Sequence, residues 1–358
     1  MRIRPVLAAT TAALALATCL TAAGTATARA HGSAASCSPS TRIAGFGDGL
    51  DKTTFQGAFV GNLSALAVDR DGTVAALSDR SQLFSLDVRH GRRGPAATPA
   101  GLVQLADEKG AALDSEGLVV DRDGTRLVTS ETEPSVRRYD RAGKLLGSIP
   151  VPDALRVAPA GRAAPNDTFE GLTLQPGGRT LIASMEGPLT GDGPAADGRP
   201  LVRFQTWERR GAGEFRPARQ YAYPADKGLG VAETTATGDG RLLVLERGFT
   251  AGVGNTVRLY LADPRGASDV SATPALPGGP GVRPVRKTLL ADIGACPSLG
   301  ATARQPQPNP LLDNIEGLAV TGRDAAGRLR VLLVSDDNQN PKQITRLYSL
   351  TVRLPRQS

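Results

Sequence analysis

Five times along the chain one short grammar returns: a carboxylate or its substitute, a small residue, an apolar strand, an Asp/Gly turn, a second apolar strand and a closing acid. The clearest copy runs Asp114-Ser115-Glu116-Gly117-Leu118-Val119-Val120, turns at Asp121-Arg122-Asp123-Gly124, and returns through Leu127-Val128-Thr129-Ser130 to Glu131. The other copies open at Asn62-Leu63-Ser64, Phe169-Glu170-Gly171, Val231-Ala232-Glu233 and Asn314-Ile315-Glu316-Gly317, and close at Asp79, Glu186, Glu246 and Asp336. Short apolar runs parted by Asp/Gly turns are strand hairpins. Two more strands follow in the clearest copy, from Ser135 and from Lys144, and residues 82–88, 201–207, 257–261 and 344–352 take the third-strand place elsewhere. Units of four strands starting near residues 63, 115, 170, 231 and 315 predict an all-β β-propeller of five or six four-stranded antiparallel blades. Residues 268–312, rich in Pro and Gly, read as an insertion or a degenerate blade, and residues 41–46 as the strand that closes the ring.

The amino terminus has a different chemistry. Arg2 and Arg4 precede an almost uniformly small and apolar run from Pro5 to Ala23, and Ala26-Thr27-Ala28 and Ala28-Arg29-Ala30 offer small residues for a signal peptidase. Residues 1–30 are therefore read as a signal peptide, 31–40 as a short mature arm and 41–358 as the propeller, exported and extracellular, with no membrane contact after cleavage. Cys19 leaves with the signal, so Cys37 and Cys296 remain as an even pair, which in an oxidising compartment predicts one disulfide tying the arm to the late segment. Loss of Arg2, Arg4 and Arg29 lowers the formal charge from +7 to +4. The remaining cations are scattered and aromatic residues make up only 4 %, which argues against a nucleic-acid partner. A monomer acting on a small ligand is the expectation.

In a propeller the first strand of each blade lines the axis. The hairpin brings its start and the end of the second strand to one edge. Glu116, Glu170, Glu233 and Glu316 stand at the first position, with Ser64 in their place in the first repeat, and Asp79, Glu131, Glu186, Glu246 and Asp336 at the second. Nine carboxylates at one mouth repel unless they are protonated or neutralised. Two neutralisers suggest themselves: the adjacent Arg80 and Arg247, pairing with Asp79 and Glu246, and a hard cation such as Ca²⁺ among oxygen ligands. Turns and strand ends also favour acids for geometry alone, so a purely structural ring stays open at this point.

Asp114-Ser115-Glu116-Gly117-Leu118, Phe169-Glu170-Gly171-Leu172, Leu245-Glu246-Arg247-Gly248-Phe249, Asn314-Ile315-Glu316-Gly317-Leu318 and Ser335-Asp336-Asp337-Asn338 together resemble the phytase-like domain family, secreted bacterial proteins described by an esterase-like activity of phytase type. The resemblance covers residues 41–352 and implies a propeller with an acidic, calcium-binding mouth acting on phosphate or related esters. The Asp-Pro-Ala signature and following Trp of well-studied propeller phytases are missing: Asp263-Pro264-Arg265 departs from it and Trp207 lies elsewhere, which separates the resemblance from phytate hydrolysis itself. The reading assigns Glu116, Glu170, Glu233 and Glu316 as catalytic, Asp79, Glu131, Glu186, Glu246 and Asp336 as metal ligands, and Arg80 and Arg247 as holders of an anionic ester. The alternative is a non-catalytic extracellular propeller binding a small ligand or surface partner. Arg89-His90-Gly91-Arg92-Arg93-Gly94-Pro95 matches the histidine acid phosphatase pattern, but His31 and His90 are the only histidines and no downstream partner follows. The same shortage argues against a Ser-His-Asp triad. Asn166-Asp167-Thr168 fits an N-glycosylation pattern.

Overall fold

The Asp/Gly turns set the blade geometry. In the first, Asp71 Oδ1 accepts from the N–H and hydroxyl of Thr73 at 3.0 and 2.6 Å while Gly72 takes φ +87°, and Asp123, Thr125 and Gly124 repeat the arrangement. The computed structural model describes residues 35–91, 93–276 and 281–357. The signal segment with Cys19, His31 and the first residues of the arm, and Arg92, lie outside the described residues.

Five blades of four antiparallel strands follow in chain order, the last edged by the additional two-residue strand Ala35–Ser36. Blade 1 comprises Leu63–Val68, Val74–Ser78, Gln82–Gly91 and Gly94–Gln104; blade 2, Ser115–Val120, Arg126–Ser130, Ser135–Tyr139 and Leu145–Ile149; blade 3, Phe169–Leu174, Thr180–Met185, Leu201–Glu208 and Arg216–Pro224. Blade 4 comprises Gly230–Ala236, Leu242–Thr250, Gly254–Asp263 and Arg286–Asp292. Blade 5 is built from both ends of the chain: Ile315–Arg323, Leu329–Ser335 and Leu347–Val352 are completed by Thr41–Gly47, which pairs antiparallel with the last strand. The closing strand predicted at 41–46 is thus present. The late segment is neither a sixth blade nor a simple insertion: it holds the fourth strand of blade 4 between two connectors. No helix among the described residues is long and apolar enough to cross a membrane.

The first strands neighbour one another around the axis, and the last blade meets the first. Apolar side chains fill the space between blades, with Phe169, Trp207, Phe204 and Tyr223 forming the aromatic centre of the largest cluster. At the rim carrying the Asp/Gly turns, buried ion pairs stitch one blade to the next: Asp69 to Arg126, and Asp121 bidentately to Arg209 at 2.6 Å. Cys37 and Cys296 are joined in a disulfide across 259 positions, fastening the segment before the closing strand to the connector after blade 4. His90 is exposed on the outer hairpin of blade 1, paired with Pro95, and its closest polar partner is Ser349 Oγ at 3.5 Å. It is no part of the mouth described next, so the phosphatase-like pattern is a hairpin.

Candidate metal centre

The end of the barrel opposite the Asp/Gly turns holds a polar cavity of about 320 Å³. Ser64, Asp79, Arg80, Asp114, Glu116, Glu131, Asn166, Glu170, Glu186, Arg247, Glu316, Asp336 and Asn338 line it. A local device aims these side chains. In every blade the pairing of first and second strands slips at this level: between Leu63 and Ala65, opposite Thr129, between Phe169 and Leu172, between Val231 and Glu233, and between Ile315 and Gly317. Such a bulge re-aims a side chain, and here it turns the residue towards the axis. The glycine that follows Glu116 and Glu170 has a separate cause. A Cβ at Gly117 would lie 2.4 Å from Glu170 O, and one at Gly171 2.4 Å from Thr234 N, so the next blade's first strand approaches too closely for a side chain.

The register also corrects the reading of blade 4. Phe169 pairs with Met185 and Ile315 with Ser335, which puts Glu170 and Glu316 one residue after the first pair and Glu186 and Asp336 one residue after the second. In blade 4 Val231 pairs with Glu246. The ring positions there are therefore Ala232 and Arg247, and neither Glu233 nor Glu246 lines the cavity. A one-residue shift sends a strand side chain to the other face. Glu233 is buried between blades 3 and 4, accepting from the N–H groups of Leu172 at 3.1 Å and Thr234 at 2.8 Å. Glu246 faces a closed network in which Lys287 Nζ donates at 2.6 Å, Tyr223 hydroxyl at 2.6 Å and Asp226 N at 2.8 Å. Both are assembled as interface supports, so the catalytic assignment of Glu233 and the metal assignment of Glu246 are withdrawn.

The other seven acids of the sequence reading converge on the cavity, joined by Asp114, which that reading passed over. Arg80 lies 3.3 Å from Asp79, as its position suggested. Arg247 does not pair with Glu246; its guanidinium reaches across the ring to Glu316 at 3.0 Å and Glu186 at 3.6 Å. Asn314 Nδ2 donates to Glu316 Oε1 at 2.9 Å. Asn166 and Asn338 bring amide groups to the rim from left-handed backbone, at φ 57° and 47°.

Crowding leaves its mark on the acidities. Burial, reinforced by Glu186 and Asp114, pushes Glu131 up to about 7. Burial pushes Glu186 to about 7 although Arg247 pulls it back, and Asp79 to about 6 despite Arg80. Glu116, Glu170 and Asp336 rise well above the ordinary carboxylate range, through burial first and neighbouring acids second. Burial also raises Glu316, opposed by Arg247.

The donor set fits a hard cation. Two groups of three carboxylates, Asp114/Glu116/Glu131 and Glu131/Glu170/Glu186, each bring ligand oxygens within 4.8 Å of one another. That is the largest separation two oxygens can have on one Ca²⁺ at about 2.4 Å. Glu131 belongs to both groups, is 6 % exposed, and its Oε1 has no hydrogen-bond partner among the described residues. Buried carboxylate oxygens are normally satisfied. Among the described residues no sulfur or imidazole lines the cavity, which fits Ca²⁺ rather than Zn²⁺.

A protein of Arthroderma benhamiae described as an uncharacterized secreted protein is 31 % identical over 107 residues, 23 % of this chain and 21 % of that protein. Among solved structures, a gluconolactonase from Xanthomonas campestris superposes with a TM-score of 0.41 at 14 % identity, covering 83 % of this chain and 73 % of that one. A PQQ-bound aldose sugar dehydrogenase from Streptomyces coelicolor gives 0.40 at 14 % identity, over 89 % and 100 %. A Trichoderma reesei enzyme of carbohydrate-active family AA12 gives 0.38 at 12 %, over 88 % and 97 %. The sequence profile described as "Phytase-like: Esterase-like activity of phytase" matches residues 58–339, from the entry to blade 1 to the loop after the second strand of blade 5, and the chain belongs to that phytase-like family.

Proposed function

We propose that the protein is an exported, cation-assisted hydrolase of phosphate or related esters, with Ca²⁺ as the metal. The observation that carries this reading is the pair of carboxylate triads sharing Glu131, whose Oε1 has no hydrogen-bond partner among the described residues. A bound divalent cation would polarise the ester oxygen and lower the pKa of a bound water. Either triad, Asp114/Glu116/Glu131 or Glu131/Glu170/Glu186, would hold it. Asp79 lies outside both triads and is held near 6, which suits a group that takes a proton from water at neutral pH. Arg80, exposed beside Asp79, meets the anionic part of the ester. Arg247, already engaged by two acids, opposes the rise in pKa that burial imposes on Glu316 and Glu186 and orients them, rather than waiting free for substrate. Export is supported by the basic-apolar amino terminus and by the Cys37–Cys296 disulfide.

The test is release of nitrophenol from 4-nitrophenyl phosphate and 4-nitrophenyl acetate by chelator-stripped protein, with and without added Ca²⁺. Turnover is expected only with the cation. Glu131→Gln should reduce it by more than about 100-fold, since residues that merely support a metal ligand are worth 10–100-fold. Equal turnover in the presence of chelator contradicts the reading. Calcium binding without turnover of either ester would instead leave a binding propeller.

A further inference from the structure

Blade 4 departs from the other blades above the ring as well as in it. The second strands of blades 1, 2, 3 and 5 end at Ser78, Ser130, Met185 and Ser335, each one residue before its ring acid. The second strand of blade 4 runs on to Thr250, three residues past Arg247. Its pairing with the third strand is unbroken from Glu246–Arg258 to Thr250–Gly254, so a regular ribbon rises from the mouth. Alternation puts Phe249 on the same face as Arg247, about 7 Å further along. The opposite face is fixed by Gly248, where a Cβ would lie 2.5 Å from Gly228 O in the connector between blades 3 and 4. Phe249 is 56 % exposed and Val253, at the ribbon's tip, 55 %. Of the eight phenylalanines, all within the described residues, Phe249 alone is exposed.

An apolar rim next to a cation site selects for a ligand with two chemistries. Eight carboxyl groups face two guanidiniums in the cavity, so a polyanion would need several cations to overcome repulsion, whereas a single anionic head needs few. We infer that the ligand is an amphiphilic monoester, whose single anionic head enters the acidic mouth and whose aryl or alkyl body packs on Phe249 and Val253. This substrate class rests on the cation-assisted reading above.

The experiment compares 1-naphthyl phosphate with glycerol 3-phosphate and inositol hexakisphosphate as substrates of the Ca²⁺-loaded protein. In parallel, equilibrium binding of 1-naphthyl phosphonate and methyl phosphonate, which are not hydrolysed, reads occupancy alone. The naphthyl compounds should bind about tenfold more tightly than their small counterparts. Phe249→Ser should remove about five- to tenfold of that preference. It should leave methyl phosphonate binding and melting temperature unchanged, and Val68→Ser, an exposed apolar change at the far rim, should do nothing. Equal naphthyl binding by wild type and Phe249→Ser, or a wild-type preference for inositol hexakisphosphate, would overturn the inference. Absence of turnover with all three esters would count against the hydrolase reading, and the phosphonate comparison would still decide the role of the rim.

Discussion

Chelator-treated protein should be most stable near about pH 5 and lose stability as the pH is raised to about 8, and Ca²⁺ should restore it. Glu131 and Glu186 sit at about 7 in the folded chain against an ordinary 4.5, and Asp79 at about 6 against 3.8. Each holds its proton more tightly folded than unfolded, so folding takes up protons in this window. The stability they contribute is complete below the ordinary carboxylate range and is lost as the pH rises through about 7. One such group costs about 3 kcal/mol once fully ionised. The acids share one cavity and repel one another, so their contributions do not add. A cation bound by these carboxylates displaces the protons and reverses the trend, and at a thousandfold excess over its dissociation constant it stabilises by about 4 kcal/mol. The melting temperature at the higher pH should therefore rise by roughly 6 °C with Ca²⁺, and by much less at the lower pH. A melting curve that is flat in pH and indifferent to Ca²⁺ would show that the ring neutralises itself.

Arg247→Met should produce the second large effect. Arg247 is the one cation among the ring positions, standing where other blades place Asp79, Glu131, Glu186 and Asp336. Removing one partner of a fully buried ion pair leaves the other charge uncompensated and costs about 3–5 kcal/mol; the side chains of Arg247 and Glu186 are each 20 % exposed, so the cost here falls below that range. Here Glu316 and Glu186 are both left without their guanidinium. The loss should appear in full at about pH 8 without cation, where the acids are ionised, and shrink near pH 5, where they protonate. Ca²⁺ should rescue the variant more than it rescues wild type, because the freed carboxylates become ligands. A variant that melts like wild type at the higher pH would show that Arg247 carries no counter-charge role.

The fold was legible because strand grammar is local. Apolar runs and Asp/Gly turns mark hairpins, and their spacing marks blades. The fourth strand of blade 4, Arg286–Asp292, was hidden because Pro- and Gly-rich connectors flank it and its residues alternate poorly. The ring was legible in four blades and misread in the fourth. Glu233 and Glu246 have the expected residue type, but pairing register decides which side of a strand faces the axis. Leu242-Leu243-Val244-Leu245 is buried on both faces, so alternation there carries no register signal. One clue was available: Gly117, Gly171 and Gly317 follow a ring Glu, whereas Thr234 follows Glu233 and a glycine, Gly248, follows Arg247. Asp114, Asn166 and Asn338 reach the cavity from connectors and loops, whose approach to the axis depends on the closed ring and not on local pattern.

The mouth is expected to exchange protons for a divalent cation through Glu131. Calorimetric titration of Ca²⁺ into chelator-stripped protein at about pH 7, in two buffers of different ionisation enthalpy, measures both binding and proton release. Wild type should bind Ca²⁺ and release at least about one proton per cation, and Glu131→Gln, which removes the carboxylate shared by both triads, should lose binding by at least tenfold while keeping its fold. Binding without proton release, or wild-type affinity in Glu131→Gln, would contradict the account.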